Sequence, residues 1–377
     1  MNDGRCGAVF CDHNAGGPVA PEVLERFLTV ERECPGNPAS QHAPGRRARA
    51  VLEQARQQIA DAFEVAAADV VFTSGGTEAA NLAVLGLGEP SLPVQVSPAE
   101  HPAVLEPAQL RGARWWTVDA KAAVQLTEPE PNVGLLCLVH AQGEVGTLQP
   151  VLDAAAMAAR RRLPLFVDAA QSLGRVAVEP VVAAGAIVAL SPHKAGGLRG
   201  HGVLLGHDLH ARLRPLLRGG GQELGHRPGT QSPSLAAANA LAIVRALTEC
   251  ASRGAHMAAV RSAFLAALGE SGVRHDLLTP LTASLPNTAM LCFPHVDGRN
   301  LMPALDLAAI HASHGAACSS GAPTPPRILV AIGRDDVQAR ACVRFSFGAN
   351  DDCAALHAAG HRVGELVLRL QKKNCAG

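Results

Sequence analysis

Val70-Val71-Phe72-Thr73-Ser74-Gly75-Gly76-Thr77-Glu78 is the stretch of sequence that decides the fold. Its apolar run, Val70–Phe72, predicts a short buried strand. A helical pattern follows the glycines and continues through Leu87. The stretch therefore predicts a strand, a glycine turn and a helix in succession, which is typical of a sheet whose strands are connected by helices.

The same alternation of short apolar runs and helical patterns surrounds this stretch. Apolar residues at helical spacing predict helices over Arg46–Phe63 and Ala154–Arg162. Further buried strands are predicted at Leu135–Val139, Leu165–Val167 (ending at Asp168), Ile187–Leu190 and Val203–Leu205. This order implies an α/β fold with a largely parallel sheet covered on both faces, in which ligands lie beyond the carboxyl ends of the strands.

The length and a change of pattern predict two domains. The chain has 377 residues, and a domain usually has roughly 100–200. We assign residues 15–250 to a large domain and residues 251–377, with 1–14, to a smaller α+β domain. In the smaller domain, Ala-rich helical sequence leads to Ala289–Phe293, and a helix near Arg299–Leu307 follows. Strands are predicted at Ala309–Ala312 and Cys342–Phe347. The segment Gly315–Pro326 is rich in Gly, Ser and Pro and is predicted to be a mobile loop.

Composition argues against several classes of protein. Basic and acidic residues number 33 each, so no net charge favours nucleic acid or an anionic membrane. Aromatic residues make up 3% of the chain and Tyr is absent, which disfavours base stacking. No apolar run approaches the roughly 18 residues that a membrane span needs, and residues 1–11 do not form a secretory signal.

The ten cysteines indicate a reducing compartment. They are scattered, with no Cys-x-x-Cys pair, so neither a disulfide framework nor a zinc site is predicted. Most are expected to be small buried hydrophobic residues. We therefore expect a cytoplasmic protein.

The turn Ser74–Thr77 is a candidate anion site. It lies between a predicted strand and a predicted helix, so its backbone N–H groups and the helix N-terminus favour a phosphate. A tight turn capped by Thr77 is equally consistent with this sequence.

Two charged residues follow later strands. Asp168 ends one strand, and Lys194 closes Ser191-Pro192-His193-Lys194 after the next. Taken singly, Asp168 is more often a helix cap or turn residue, and Lys194 a surface lysine. Together with the anion turn, they supply the three groups that pyridoxal phosphate needs: a phosphate cradle, a partner for the pyridinium nitrogen and an amine for the aldehyde.

Three further residues are candidates for chemistry. His101 precedes a proline after the apolar run Val94–Val96, and either stacks on a cofactor ring, moves protons or is merely structural. Arg344 is a charge inside an apolar strand, which indicates either an internal salt bridge or a substrate carboxylate. Cys318 lies in the predicted mobile loop, where a thiolate could move to a substrate.

From about Asp12 to Gly348, the chain resembles the cysteine desulfurases, which are class V aminotransferase-like enzymes of pyridoxal-phosphate fold type I. The resemblance is carried, in order, by Gly36–Ser40, Phe72–Glu78, Glu100–Leu105, Val167–Ser172, Ser191–Lys194, Gly219–Glu223 with Arg227–Thr230, Leu285–Thr288 and Gly315–Gly321. It implies a large domain with a mainly parallel seven-stranded sheet and a smaller C-terminal α+β domain.

The resemblance also implies roles in cofactor binding. Lys194 is the Schiff-base lysine, Asp168 pairs with the pyridine nitrogen, and His101 stacks over the ring. Gln171 approaches the ring hydroxyl. The remaining implied ligands hold the phosphate: Gly75, Gly76, Thr77, Ser191 and His193. Thr230 would reach the phosphate of a neighbouring subunit, which implies a homodimer.

The implied reaction converts L-cysteine to L-alanine. Arg344 would take the substrate carboxylate, with Asn14 and Gln142 as further substrate-binding candidates. Cys318 would attack the substrate sulfur, become a persulfide and pass sulfur to an acceptor or scaffold protein. No metal site is predicted, apart from a possible iron–sulfur cluster contact through Cys318.

The chain departs from the family pattern at three places near the implied pocket. Gly143 replaces the second of two paired asparagines, and losing such a hydrogen bond to a charged group typically costs about 1.5–3 kcal/mol. Gln142 is a candidate to compensate. Asn14-Ala15-Gly16-Gly17 replaces the usual Asn-Ala-Thr-Thr, and Gly196-Gly197-Leu198 replaces Tyr-Gly-Pro after the lysine.

Three hypotheses of function follow. The first is a cysteine desulfurase that supplies sulfur for iron–sulfur clusters or thio-cofactors. The second is a selenocysteine lyase, because the sequences around Cys318 and at Pro325–Leu329 also resemble that subgroup. The third, motivated by Gly143, is a catalytically weakened homologue that serves as a partner or scaffold protein.

Overall fold

The computed structural model describes residues 7–314 and 326–375. The strands are β1 Val9–Phe10, β2 Val70–Thr73, β3 Val94–Val96, β4 Ala113–Trp115, β5 Thr117–Val118, β6 Val124–Gln125, β7 Leu135–Val139, β8 Leu165–Asp168, β9 Ile187–Leu190, β10 Gly202–Leu205, β11 Asp276–Leu277, β12 Thr288–Cys292, β13 Ile310–His311 and β14 Cys342–Ser346.

The α-helices are α1 Pro21–Glu33, α2 Ala43–Phe63, α3 Gly76–Gly86, α4 Pro102–Leu110, α5 Val151–Arg161, α6 Glu179–Ala183, α7 Leu209–Arg212, α8 Pro233–Thr248, α9 Cys250–Glu270, α10 Gly298–Leu307, α11 Arg327–Ala331, α12 Asp336–Arg340 and α13 Cys353–Cys375. Short 3-10 turns cover Ala67–Asp69, Pro192–Lys194 and Gln222–Gly225.

The described strands form one large sheet of seven, in the order β2-β10-β9-β8-β7-β3-β4. Strand β10 is antiparallel to both of its neighbours, and every other neighbouring pair is parallel. Strand β2 therefore runs in the same direction as β9. The predicted α/β fold with a mainly parallel seven-stranded sheet is confirmed.

Helices bury both faces of this sheet, and successive residues of its central strands point to opposite faces. Phe166 of β8 packs in a core shared with helices α3 and α4. Its neighbours Leu165 and Val167 pack in a second core, shared with α2, α5 and α8. These central strands are apolar along their whole length, since neither face meets water.

Helix boundaries differ from the predicted ones at the N-terminal ends. Helix α2 begins at Ala43 rather than Arg46, with Pro44 in its first turn and the His42 Nδ1 atom accepting from the Gly45 N–H at 3.2 Å. Helix α5 begins at Val151, directly after Pro150. Caps and prolines set these starts, whereas apolar spacing only marks the buried part of each helix.

The C-terminal part is built on a smaller sheet. Strands β11, β12 and β14 pair antiparallel, and helices α9, α10 and α13 share one apolar core with them. Strand β1 pairs in parallel with β13, so the N-terminal strand joins this part of the molecule.

The division at residue 250 stays a prediction. In its favour, the chain bends by 74° between α8 and α9, where the two helices meet.

Within the described residues no single helix is long and apolar enough to cross a membrane, and α8 with α9 meets that criterion only as a bent pair. The described cysteines are free thiols, and Cys11, Cys137, Cys292 and Cys342 are buried.

Candidate functional site

The sheet brings most of the predicted site residues to one edge. Strands β2, β3, β7, β8 and β9 run in the same direction, so the residues that follow them share the carboxyl edge of the sheet. The segments at that edge are Ser74–Thr77, His101, His140–Gly143, Asp168–Gln171 and Ser191–Lys194. Parallel α/β sheets bind their ligands at this edge.

The glycine turn after β2 is shaped by its neighbours. Gly75 is extended and helix α3 begins at Gly76, which leaves N–H groups of the first turn facing outward. A Cβ atom added to Gly76 would collide with the Ser191 Oγ atom that follows β9. Only glycine therefore lets the turn and the buried Ser191 hydroxyl approach each other. Thr77 is exposed on the first turn of α3.

Glu78 and Arg227 hold the glycine turn in place through hydrogen bonds. One Glu78 carboxylate oxygen accepts from the Ser74 N–H at 2.6 Å, and the other accepts from Arg227 Nε at 2.8 Å. These contacts hold the pKa of Glu78 below its usual value, although burial opposes them. Thr230 and Ser74 line one cavity of about 150 Å³ within the same chain. The predicted reach of Thr230 to a neighbouring subunit stays a prediction.

Lys194 lies in the 3-10 turn Pro192–Lys194, directly after β9. Burial, aided by the positive charges of Arg175 and Arg344, lowers the pKa of Lys194 to about 8, while Asp168 and Glu144 act in the opposite direction. A lysine with this pKa is partly neutral near pH 8 and is therefore a competent nucleophile. The same interactions place Asp168 and Arg344 within electrostatic range of its amine.

Asp168 ends β8 and is 8% exposed. One of its carboxylate oxygens accepts from the Ala170 N–H at 2.9 Å, which orients the side chain at the strand end. His193, beside Lys194, has its pKa lowered to about 4 by burial and by the nearby cations Lys194 and Arg199. His193 is therefore neutral at physiological pH.

Arg175 is a functional candidate that sequence reasoning missed. Its guanidinium donates to the Lys194 carbonyl at 3.4 Å, to the His13 carbonyl at 2.9 Å and to both the backbone and side-chain oxygens of Gln171. Gln171 in turn donates to the Asn14 carbonyl at 3.0 Å. A single buried arginine thus ties together Lys194, Gln171 and the N-terminal segment. The available signal was a charge four residues after Gln171 in an otherwise small and apolar stretch.

His101 and Glu100 occupy the start of α4. The His101 Nδ1 atom caps the helix by accepting from the Ala103 N–H at 3.1 Å, and the imidazole is exposed at the sheet edge. Glu100, a second residue that sequence reasoning missed, is buried and accepts from the Val139 N–H at 2.7 Å. Burial raises the pKa of Glu100 to about 8, so its carboxyl carries a proton at neutral pH.

Gly143 contributes a carbonyl rather than a side chain. Its oxygen accepts from Asn14 Nδ2 at 3.0 Å and from an Arg344 NH group at 3.1 Å. Arg344 is 6% exposed and also pairs with Asp12 at 2.7 Å. Within the described part of the chain its Nε atom has no hydrogen-bond partner. This leaves one donor of a buried guanidinium available.

Gln142 and Asn14 make contacts within the protein, and their predicted contact with a substrate stays a prediction. The Gln142 amide oxygen accepts from the N–H groups of Glu144 and Val145, so its side chain stabilises its own turn. The Asn14 amide donates to Gly143 and Thr288 and accepts from Asn287. Both side chains are occupied by contacts within the protein. Cys318 lies outside the described residues.

These residues fit pyridoxal phosphate. The tight approach of Gly76 to Ser191 beside a helix N-terminus suits a phosphate group. A carboxylate at the end of β8 can accept a hydrogen bond from the protonated ring nitrogen, and a lysine of lowered pKa after β9 supplies the amine that the aldehyde requires.

Comparison with known proteins agrees with the fold. The aminotransferase class-V family model matches residues 9–357. A cysteine desulfurase from Frankia sp. (strain EuIK1) is 34% identical, over 96% of this chain and 92% of that protein. The cysteine desulfurase IscS of Dictyoglomus turgidum is 30% identical, over 90% of this chain and 89% of that protein.

Solved structures agree as well. A NifS-like protein has a TM-score of 0.87 and 29% identity, covering 96% of this chain and all of that chain. Class-V aminotransferases and cysteine desulfurases are pyridoxal-phosphate-dependent enzymes. This chain therefore belongs to the aminotransferase class-V family, as a relative of its cysteine desulfurases.

Proposed function

We propose that this protein is a pyridoxal-phosphate-dependent cysteine desulfurase. In the proposed reaction, L-cysteine and the Cys318 thiol give L-alanine and a persulfide on Cys318: the carbon–sulfur bond of the substrate breaks and a sulfur–sulfur bond forms. The observation that carries the proposal is the setting of Lys194, a lysine whose pKa is about 8, at the carboxyl edge of the sheet and within range of Asp168 and Arg344.

Each residue at this edge has a proposed task. Bound pyridoxal phosphate supplies an electron sink that weakens the bonds to the substrate α-carbon. Lys194 Nζ, partly neutral near pH 8, holds the cofactor and then moves a proton at the substrate. Asp168 holds a proton on the pyridine nitrogen. His101 would lie against the cofactor ring, and Gln171, oriented by Arg175, would contact the ring hydroxyl.

The substrate carboxylate is assigned to Arg344. This guanidinium is buried, and two of its nitrogens are held by Asp12 and by the Gly143 carbonyl. Its Nε atom has no partner within the described residues, so a carboxylate would satisfy a buried donor that is otherwise unpaired. The same contacts fix the plane of the guanidinium, which orients the substrate α-carbon.

The proposed partners are a sulfur-acceptor or scaffold protein and a second copy of this chain. Three exposed leucines precede Thr230 in the chain: Leu216 is 40% exposed, Leu217 59% and Leu224 60%. An apolar surface of this kind suits burial against another subunit, which would also bring Thr230 to the phosphate of its partner. A cytoplasmic location and a role in iron–sulfur or thio-cofactor assembly belong to the same proposal.

Product analysis tests this proposal. The protein carrying its cofactor is given L-cysteine or L-selenocysteine, and alanine is measured with and without a thiol acceptor. We expect alanine and acceptor-dependent sulfide from cysteine. A preference for selenocysteine would favour the lyase. Retained cofactor absorbance without alanine from either substrate would contradict the proposal and favour a partner or scaffold role.

Two cysteine variants locate the sulfur. Cys318→Ser should keep the cofactor absorbance but accumulate no protein persulfide. Cys34→Ser, which removes a half-buried cysteine, is the matched control and should behave as the parent protein does. Persulfide that persists in Cys318→Ser would contradict the assignment of Cys318.

A further inference from the structure

Three potential metal ligands meet where the C-terminal end of helix α9 lies against the first turns of helix α13. Glu270 is the last residue of α9, while His357 and His361 lie one turn apart on α13. The two helices approach closely: a Cβ atom added to Gly360 of α13 would lie 2.9 Å from the Ala267 Cβ atom of α9. The backbones that carry the three side chains are therefore held in a fixed relation.

The distances between the ligand atoms suit a tetrahedral cation. Glu270 Oε2 lies 3.6 Å from His357 Nε2 and 3.1 Å from His361 Nε2. All three ligand atoms lie within 4.8 Å of one another. Zinc bonds of about 2.0–2.2 Å in tetrahedral geometry separate neighbouring ligand atoms by about 3.3–3.6 Å, so small rotations would complete the set.

Charge at this place also favours a cation. The Glu270 carboxylate sits at the C-terminal end of α9, where the helix dipole disfavours negative charge. Among the described residues, no lysine or arginine lies within 4.0 Å of its oxygens, and only the two histidines face it. Two imidazoles at positions i and i+4 of a helix are a frequent arrangement for binding zinc.

We propose that Glu270, His357 and His361 form a binding site for a zinc-class divalent cation that links α9 to α13. The side chains are 57%, 42% and 42% exposed, so the site is accessible and water can fill the fourth position. Its imidazole and carboxylate ligands select Zn²⁺ or Ni²⁺ over Mg²⁺. Cysteine spacing predicts no metal site in this sequence, whereas here the fold brings Glu270 to two histidines that lie 87 and 91 positions later.

Zinc titration of the full-length, untagged protein carrying its cofactor tests the proposal. Accessible thiols are alkylated first, so that thiolates do not compete for the metal. We expect one zinc ion to bind in the parent protein, and His361→Ala and Glu270→Gln to bind it about tenfold or more weakly. Circular dichroism checks that the variants remain folded, which these exposed positions favour.

His311→Ala is the matched control. His311 is 45% exposed and lies 3.2 Å from the carboxylate of Asp306, but among the described residues it belongs to no group of three potential metal ligands. This variant should bind zinc as the parent does. Equal affinity in the parent and in His361→Ala would overturn the proposal.

Cobalt substitution gives an independent measurement. With Co²⁺ in place of zinc, we expect the absorbance of a tetrahedral site with nitrogen and oxygen ligands, lost in His361→Ala. Thiolate-to-cobalt charge-transfer absorbance that His361→Ala leaves unchanged would assign the metal to cysteines and contradict the site.

Discussion

At the scale of single residues, the site depends on close contacts that leave no room for a side chain. Gly76 is the clearest example, because the Ser191 hydroxyl occupies the space that a Cβ atom would need. Gly143 is less constrained, since an added Cβ atom would meet the Gln171 amide nitrogen at 3.2 Å. The departure from the family at Gly143 is thus accompanied by a carbonyl that orders Asn14 and Arg344.

We predict that Gly76→Ala destabilises the protein by about 1–3 kcal/mol, because the new methyl group overpacks against the Ser191 hydroxyl. Adding Ser191→Ala should recover much of that loss, since the Ser191 Cβ atom lies at an ordinary 3.7 Å. Urea unfolding of the two single variants and the double variant measures this coupling. An unchanged penalty in the double variant would contradict the contact.

A second prediction at this scale concerns the protonation of Glu100. Its pKa is about 8 in the folded protein, mainly because of burial, against 4.5 for an exposed glutamate. The folded state therefore binds more protons than the unfolded state between these values, and this group's contribution to stability is lost as the pH rises from about 4.5 to 8. The loss is about 1.4 kcal/mol for each pH unit.

Glu100→Gln removes the titration but keeps an oxygen that can accept from the Val139 N–H. We expect the variant to gain stability relative to the parent as the pH rises from 6 to 8, measured by urea unfolding at each pH. A difference between the two proteins that stays constant over this range would show that Glu100 is already ionised.

At the scale of elements, a buried ion pair attaches the segment before Thr230 to the sheet. Arg56 of α2 pairs with Glu223 through two hydrogen bonds of 2.7 and 2.9 Å, and Glu223 also accepts from the Phe72 N–H of β2. The Glu223 side chain is fully buried, and its φ of 50° lies in the left-handed region. The contact links this loop to both α2 and β2.

We predict that Glu223→Ala lowers the free energy of unfolding by about 3–5 kcal/mol, because it removes the buried partner of Arg56 and leaves only the half-exposed carboxylate of Glu53 beside that buried charge. Glu33→Ala is the matched control, since Glu33 pairs with Arg47 at 3.0 Å but both side chains are more than half exposed. This control should change stability by less than about 1 kcal/mol. Comparable losses in the two variants, measured by urea unfolding, would contradict the account.

The sequence predicted the elements that a local run of apolar residues marks. It missed those that depend on partners far along the chain. Strands such as β7 and β9 are uniformly apolar, so their buried runs indicate them directly. The short strand β1 pairs with β13 some 300 residues later, and no local pattern marks that pairing. Arg175 was missed for the same reason, because its role depends on carbonyls from three separate segments.

At the scale of the whole molecule, the candidate site joins the two predicted parts of the chain. Asp12 and Arg344 are 332 positions apart and form an ion pair beside the Gly143 carbonyl of the large sheet. The residues that the resemblance assigns to the cofactor, Asp168 and Lys194 among them, all lie in the predicted large domain. The residue assigned to the substrate carboxylate comes from the smaller one. Cofactor and substrate would thus be held by different parts of the fold.

The central claim is that Lys194 holds the cofactor, and the sequence makes it unusually simple to test. The chain has four lysines, Lys121, Lys194, Lys372 and Lys373. The protein carrying pyridoxal phosphate is reduced with borohydride, digested and mapped by mass spectrometry, with Lys194→Ala and Lys121→Ala as variants. We predict the pyridoxyl mass on Lys194 in the parent and in Lys121→Ala, and no adduct in Lys194→Ala. The adduct on any other lysine, or its retention in Lys194→Ala, would contradict the account.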